Sequence, residues 1–138
     1  MSDSNAIRER RDIPREDTWA LEDLFPSDDA WQQALDRVLG KTETIQGFAG
    51  RLGESGQTLC AFLALLEETD TALEALGNYA MRAADQDTRN SFYQGLSGRY
   101  FSAAAALGAA FSFATPEIMA LSEETLDGFY RDCPRLER

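Results

Sequence analysis

The chain has 138 residues, enough for one domain and short for two. Its 43% hydrophobic and 27% charged content is that of an ordinary globular protein, while 13 basic against 24 acidic residues leave a formal charge of −11. That charge argues against a nucleic-acid backbone or an anionic membrane surface as partner, since either would be repelled at long range. There is no histidine, so these residues cannot hold a Ser-His-Asp triad, a histidine general base or a His-Glu-x-x-His zinc site.

From the start, Met1 to Arg15 reads as a flexible, polar arm, and residues 16–138 as one helical domain. Met1 to Arg11 has no apolar core of a secretory signal. The most apolar stretch, Phe101 to Phe113, has 13 residues where a membrane-crossing helix needs about 20. The expected compartment is the cytoplasm. Thr18 to Ser27 packs Trp19, Leu21, Leu24, Phe25 and Pro26 into ten residues, too many large apolar groups for a solvated linker. It reads as an extended strap across a helical core, with Trp19 and Phe25 buried at about 1.5–3 kcal/mol each.

Ser27 caps a first helix, with Asp28 and Asp29 at the positive end of its dipole. Trp31, Leu35, Val38 and Leu39 make one face, and Gly47 ends the helix. Gly47, Gly50, Gly53 and Gly56 mark a turn-rich connection anchored by Phe48 and Leu52. After Ser55 comes the clearest pattern in the chain. Leu59, Leu66, Leu73 and Ala80 step by seven, with Phe62, Thr69, Leu76 and Ala83 between them. This predicts a helix of roughly 29 residues and ~43 Å. Leu63 and Leu65 widen the seam, which favours a bundle over a two-stranded rod.

A polar break, Asp85-Gln86-Asp87-Thr88-Arg89-Asn90, ends on a cap for a third helix. There Tyr93, Leu96, Tyr100, Ala104, Leu107 and Phe111 keep a helical period, while Gly95, Gly98 and Gly108 each cost about 1 kcal/mol relative to alanine. The small residues from Ser102 to Ala106 allow close backbone approach. Thr115-Pro116 restarts a helix, and Ser122-Glu123-Glu124 begins another that ends before Cys133-Pro134. No stretch alternates with period two. The expected fold is all-α: a long antiparallel helical hairpin within a small bundle.

Few residues are candidates for chemistry. The acidic pairs Glu67-Glu68, Asp28-Asp29, Glu123-Glu124 and Asp85/Asp87 sit at helix starts, at a turn or opposite the seam, and read as solvated surface. A di-iron bundle would need Glu-x-x-His on facing helices. Tyr93, Tyr100 and Phe111 read as core packing rather than a ligand groove, and Arg82 and Arg89 as surface ion pairs. Gly50, Gly53 and Gly56 lack the Lys-Ser/Thr and preceding strand of a phosphate loop. Cys60 reads as a buried thiol and Cys133 as a free surface one, neither activated by a histidine. No catalytic, cofactor-binding or metal-binding residue is assigned.

Several segments in order resemble the amino-terminal region of oligoendopeptidase F, within the thimet-type oligopeptidase family of zinc metallopeptidases. Arg11-Asp12-Ile13-Pro14 followed by Asp17-Thr18-Trp19-Ala20-Leu21-Glu22-Asp23-Leu24-Phe25, with Trp31 beyond, is similar to that family's leading strap and first helix. Gly47-Phe48-Ala49-Gly50-Arg51-Leu52 resembles the linker before its hairpin. Tyr79-Ala80-Met81-Arg82 with Asp85-Gln86-Asp87-Thr88 resembles the hairpin tip, and Phe113-Ala114-Thr115-Pro116-Glu117-Ile118 the segment after it. Ala20 stands where the family more often has an acidic residue.

The resemblance implies a non-catalytic amino-terminal domain of a zinc-dependent oligopeptidase, part of the wall of a channel that admits short peptides. Zinc and the catalytic residues then belong to a later region of a longer parent, and the partners are that catalytic domain and, in the full protein, peptide substrates. No cofactor is expected in this chain. An open apolar surface near Phe111, Phe113 and Ile118 would promote self-association. The alternative is a free-standing interaction module receiving a partner helix on the Leu59–Ala83 seam or on the small-residue third helix.

Overall fold

The computed structural model describes residues 8–137. Residues 1–7 of the expected arm lie outside the described residues. Short 3₁₀ turns at Arg10–Asp12, Arg15–Asp17 and Leu21–Asp23 lead into six helices: α1 (Asp28–Leu39), α2 (Thr42–Gln46), α3 (Gly56–Gln86), α4 (Ser91–Phe111), α5 (Ala114–Met119) and α6 (Glu123–Asp132). A final 3₁₀ turn spans Pro134–Glu137, and no strand occurs among the described residues. The all-α expectation holds, with α3 and α4 forming the antiparallel hairpin.

The caps follow from local chemistry. The hydroxyls of Ser27, Ser55 and Ser122 accept from the amides of Ala30, Thr58 and Thr125 at 3.1, 3.0 and 3.2 Å, and Asn90 Oδ1 accepts from the Phe92 amide at 3.0 Å. Each satisfies an amide that the helix itself leaves without a partner.

The first helix is shorter than its spacing implied. It stops at Leu39 and a separate turn of helix, α2, ends at Gly47. At the break the Lys41 amide donates to the Val38 carbonyl at 3.1 Å, and Thr42 Oγ1 donates to the Leu39 carbonyl at 2.7 Å. The redirection carries Ile45 into the core, where it is fully buried.

On α3 the series Phe62, Thr69, Leu76 and Ala83 is buried throughout, whereas Leu66 and Leu73 of the other series are half-buried. Thr69 is tolerated inside because its hydroxyl donates to the Leu65 carbonyl at 2.7 Å. Two apolar clusters result. The larger gathers Trp31, Leu35, Val38, Ile45, Leu76, Tyr79, Leu96 and Leu107 from the first four helices. The smaller joins Leu52, Leu59, Phe62 and Phe129, with Phe113, Ile118 and Leu121 against it. Close backbone approach is supplied by Gly56 against α6, while the missing Cβ of Gly77 makes room for the Tyr100 ring; the glycines of α4 do neither.

Three further expectations need correction. Phe25 meets the Tyr79 ring edge-on at 5.5 Å, but Trp19 stays half exposed under the Arg82 guanidinium, 5.2 Å from its ring centre. The strap is therefore anchored at one aromatic residue rather than two. Phe111, Phe113 and Ile118 are half-buried around Phe62, so the open apolar surface lies elsewhere. Cys60 and Cys133 are not far apart, and their burial is the reverse of the expectation: Cys133 is buried and Cys60 half-buried. The return of α6 to the start of α3 pairs them, with Cα atoms 6.7 Å apart.

Candidate functional site: an uncharged outer face on α4

Arg99 is the one charged residue in α4, and none occurs from Tyr100 to Pro116. The inward stripe of the helix, Leu96, Ala103, Leu107 and Ala110, is buried. The outward stripe is Ser91, Gly95, Gly98, Ser102, Ala105, Ala109 and Ser112, at alternating spacings of four and three. Every one of these is small and exposed. Alternation of that kind keeps one line of a helix facing a neighbouring helix, and small side chains let the two axes come close.

A Cβ at Gly95, Gly98 or Gly108 would meet nothing within 4 Å. The packing inside this domain therefore gives no reason for glycine at these positions, although each weakens the helix by about 1 kcal/mol relative to alanine. Phe92 and Phe101 flank the stripe and are 51% and 56% exposed. Between α4 and α1 runs a groove of about 640 Å³, lined by Leu35, Leu39, Gly95, Gly98, Arg99, Ser102, Ala103, Ala106 and Gln32. Arg99 sits at its rim, donating to Gln32 Oε1 and lying 5.7 Å from the Trp31 ring centre. In a chain with 27% charged residues, so extended an uncharged and exposed helix face is the candidate interaction surface.

The acidic pairs are dispersed. Asp28 Oδ1 accepts from the Tyr79 hydroxyl at 2.7 Å, across 51 positions in sequence. Burial first, and this bond second, push the Tyr79 phenol well above its ordinary range. Glu68 meets Lys41 at 2.6 Å, Glu67 meets Arg135 at 3.0 Å, and Glu123 and Glu124 are exposed in the first turn of α6. At the hairpin tip Arg82 lies 3.7 Å from Asp85, Arg89 lies 3.8 Å from Glu9, and Asp87 Oδ1 accepts from the Arg89 amide. Tyr93, Tyr100 and Phe111 pack partly buried against the larger cluster. Gly50 and Gly53 lie in the exposed loop before α3, and Gly56 is buried at its start. Zinc has no fitting donor set here: the chain has no histidine, and among the described residues no group of three or more Cys, Asp or Glu is placed to hold a metal.

No single described helix is long and apolar enough to cross a membrane. The sequence points to the small residues of this helix, but not to which of them line up along its outer side. The alternating small residues and the missing charge were the signals that could have found the stripe.

No protein-family profile matches the chain, and no solved structure does. Curated proteins do. Over 126 residues, 91% of this chain, it is 34% identical to oligopeptidase PepF of Bacillus subtilis (strain 168), of which it covers 19%. Over 129 residues, 94% of this chain, it is 28% identical to group B oligopeptidase PepB of Streptococcus agalactiae serotype III (strain NEM316), of which it covers 22%. A plasmid-encoded oligoendopeptidase F of Lactococcus lactis subsp. cremoris is 24% identical over 131 residues, 94% of this chain and 22% of that protein. The relatives matched over 91–94% of this chain are oligopeptidases and oligoendopeptidase F proteins by name, and the chain is similar to the matched part of each. It spans about a fifth of the length of the curated relatives it matches.

Proposed function

We propose that this chain is the amino-terminal, non-catalytic domain of a longer zinc-dependent oligopeptidase. In this reading it forms part of the wall of a channel that limits access to short peptides. The observation that carries the reading is the proportion of the match: nearly all of this chain against about a fifth of each relative. The outer face of α4 supports it, since an uncharged face at helix-packing spacing suits the remainder of such a protein. The reading includes residues 1–15 as an arm, residues 16–138 as the domain, and the cytoplasm as its compartment. Peptides are the substrates of the whole protein, and the bond-breaking groups are supplied outside these residues.

Three measurements test it. The purified chain should show no chelator-sensitive cleavage of short peptides; such cleavage would overturn the reading. The gene read in frame past Arg138 should encode a His-Glu-x-x-His segment; a stop codon there would favour the alternative. In sedimentation the isolated chain should self-associate through α4, and Ala105→Glu should render it monomeric.

The alternative, a free-standing interaction module, is favoured by the same α4 face. Much of the Leu59–Ala83 seam is buried inside the domain, so this reading would use the exposed small-residue face of α4.

A further inference from the structure

Gly56 opens α3 directly against the end of α6. A Cβ there would stand 2.7 Å from the Phe129 carbonyl oxygen and 2.9 Å from Phe129 Cα, so only glycine lets the two backbones come this close. Next to it Gln57 Nε2 donates to the Asp132 carbonyl at 2.7 Å, and further along Arg135 Nη2 donates to Glu67 Oε2 at 3.0 Å. These contacts pin the end of α6 and the last turn of the chain along the first turns of α3. Cys60 follows Gly56 by one helical turn, and Cys133 is the residue that ends α6. They meet at this junction with Cα atoms 6.7 Å apart, inside the span a disulfide bridges. Seventy-three positions separate them in sequence. Cys133 is buried and Cys60 half-buried, which makes Cys60 the more accessible residue of the pair.

We propose that Cys60 and Cys133 form a thiol–disulfide modification site whose substrate class is a low-molecular-weight disulfide, R–S–S–R. The Cys60 thiolate attacks one sulfur of R–S–S–R, and the S–S bond breaks to release R–S⁻. The Cys133 thiolate then attacks Cys60 in the mixed disulfide and expels the second R–S⁻. Two protein thiols are oxidised to one disulfide, the external disulfide is reduced to two R–SH, and those products carry the two protons away. In a reducing compartment the pair rests as two thiols and closes under oxidative challenge. Closure fastens α6, and with it Phe129 of the smaller cluster, to the start of α3. No third ligand converts the pair into a metal site among the described residues.

The test uses the whole 138-residue chain, equilibrated with either reduced or oxidised glutathione. The oxidised product should run as a single chain on denaturing non-reducing gels, two hydrogens lighter than the reduced chain, free of glutathione adduct and without reactive thiols. Its melting temperature should rise by roughly 10 °C, as expected for closing a loop of this length. Hydrogen exchange in α6 should slow in the same sample. Cys133→Ser should accumulate one stable glutathione adduct on Cys60 and lose the melting shift. Two adducts per chain, disulfide-linked dimers, or thiols that stay reactive with unchanged melting would each overturn the proposal. The comparison of oxidised with reduced native chain decides the matter even where a serine variant folds poorly.

Discussion

The Trp31 indole donates its Nε1–H to the Leu76 carbonyl at 2.9 Å, a fully buried bond that locks α1 onto the middle of α3. The same ring stacks on Tyr79 at 6.4 Å, so one side chain ties a hydrogen bond, an aromatic pair and the helix crossing together. Trp31→Phe removes the donor and leaves a cavity. The expected loss is about 2–4 kcal/mol, read from the midpoint of urea denaturation. The chain has two tryptophans, and the other, Trp19, is half exposed. Fluorescence of the variant should therefore show the red-shifted emission of a wet indole alone. An unchanged denaturation midpoint would remove Trp31 as the anchor of α1.

Two glycines in helices should respond oppositely to the same substitution. At Gly56 an added Cβ collides with the Phe129 backbone, which cannot swing aside as a side-chain tip would. Gly56→Ala should destabilise the chain by about 1–3 kcal/mol. At Gly98 nothing lies within 4 Å in the single chain, so Gly98→Ala should stabilise the monomer, melted at dilution where the chain does not self-associate, by up to about 1 kcal/mol. Thermal melts of the two variants side by side would check this. A destabilising Gly98→Ala would mean that the outer face of α4 is already covered, as by a second copy.

Much of the architecture was readable because its causes are local. Ser27, Ser55, Asn90 and Ser122 each declared a helix start through a side chain that reaches an amide two or three residues on. The seven-residue step from Phe62 to Ala83 declared the buried line of α3. What could not be read depends on tertiary partners. Gly40 and Lys41 keep helical dihedrals at the break between α1 and α2, so the obvious stop was the later Gly47. The meeting of Cys60 with Cys133 exists only because α6 folds back on Gly56. Trp19 looked buried by its size, yet a guanidinium rather than a core covers it. The candidate site was half visible: the small residues of α4 were noticed, but which of them face outward is set by the burial of Leu96, Ala103 and Leu107.

Tyr79 makes the fold sensitive to alkali. Burial and the Asp28 bond raise the folded phenol above its unfolded value near 10. A raised folded value means that the contribution to stability is complete below about pH 10 and is lost as the pH climbs toward the folded value. Above pH 10 this group alone should remove up to about 1 kcal/mol per pH unit, water near the bundle edge screening part of the full effect. Tyr79→Phe should flatten the stability profile above pH 10 and cost about 1–2 kcal/mol at neutral pH through the lost hydrogen bond. Denaturation midpoints from pH 8 to 11 would show both effects. A variant with the same alkaline slope as the native chain would assign that slope to another group.

Glu117 on α5 holds the loop that precedes α3. One carboxylate oxygen accepts from the Gly50 amide and the other from the Leu52 amide at 3.4 Å. Gly50 has φ +77°, a left-handed conformation that turns the chain toward the carboxylate, and Leu52 beyond it is fully buried in the smaller cluster. The contact spans more than sixty positions in sequence, so the loop is held by tertiary structure rather than by its own turn. Glu117→Ala leaves both amides without this acceptor and should cost about 1–3 kcal/mol. Glu117→Gln keeps one acceptor oxygen and should recover part of the loss. Hydrogen exchange at Gly50 and Leu52 separates this effect from a general loosening: both amides should exchange faster in the alanine variant while those in the middle of α3 stay protected. Equal acceleration in loop and helix would show that Glu117 supports α5 rather than the loop.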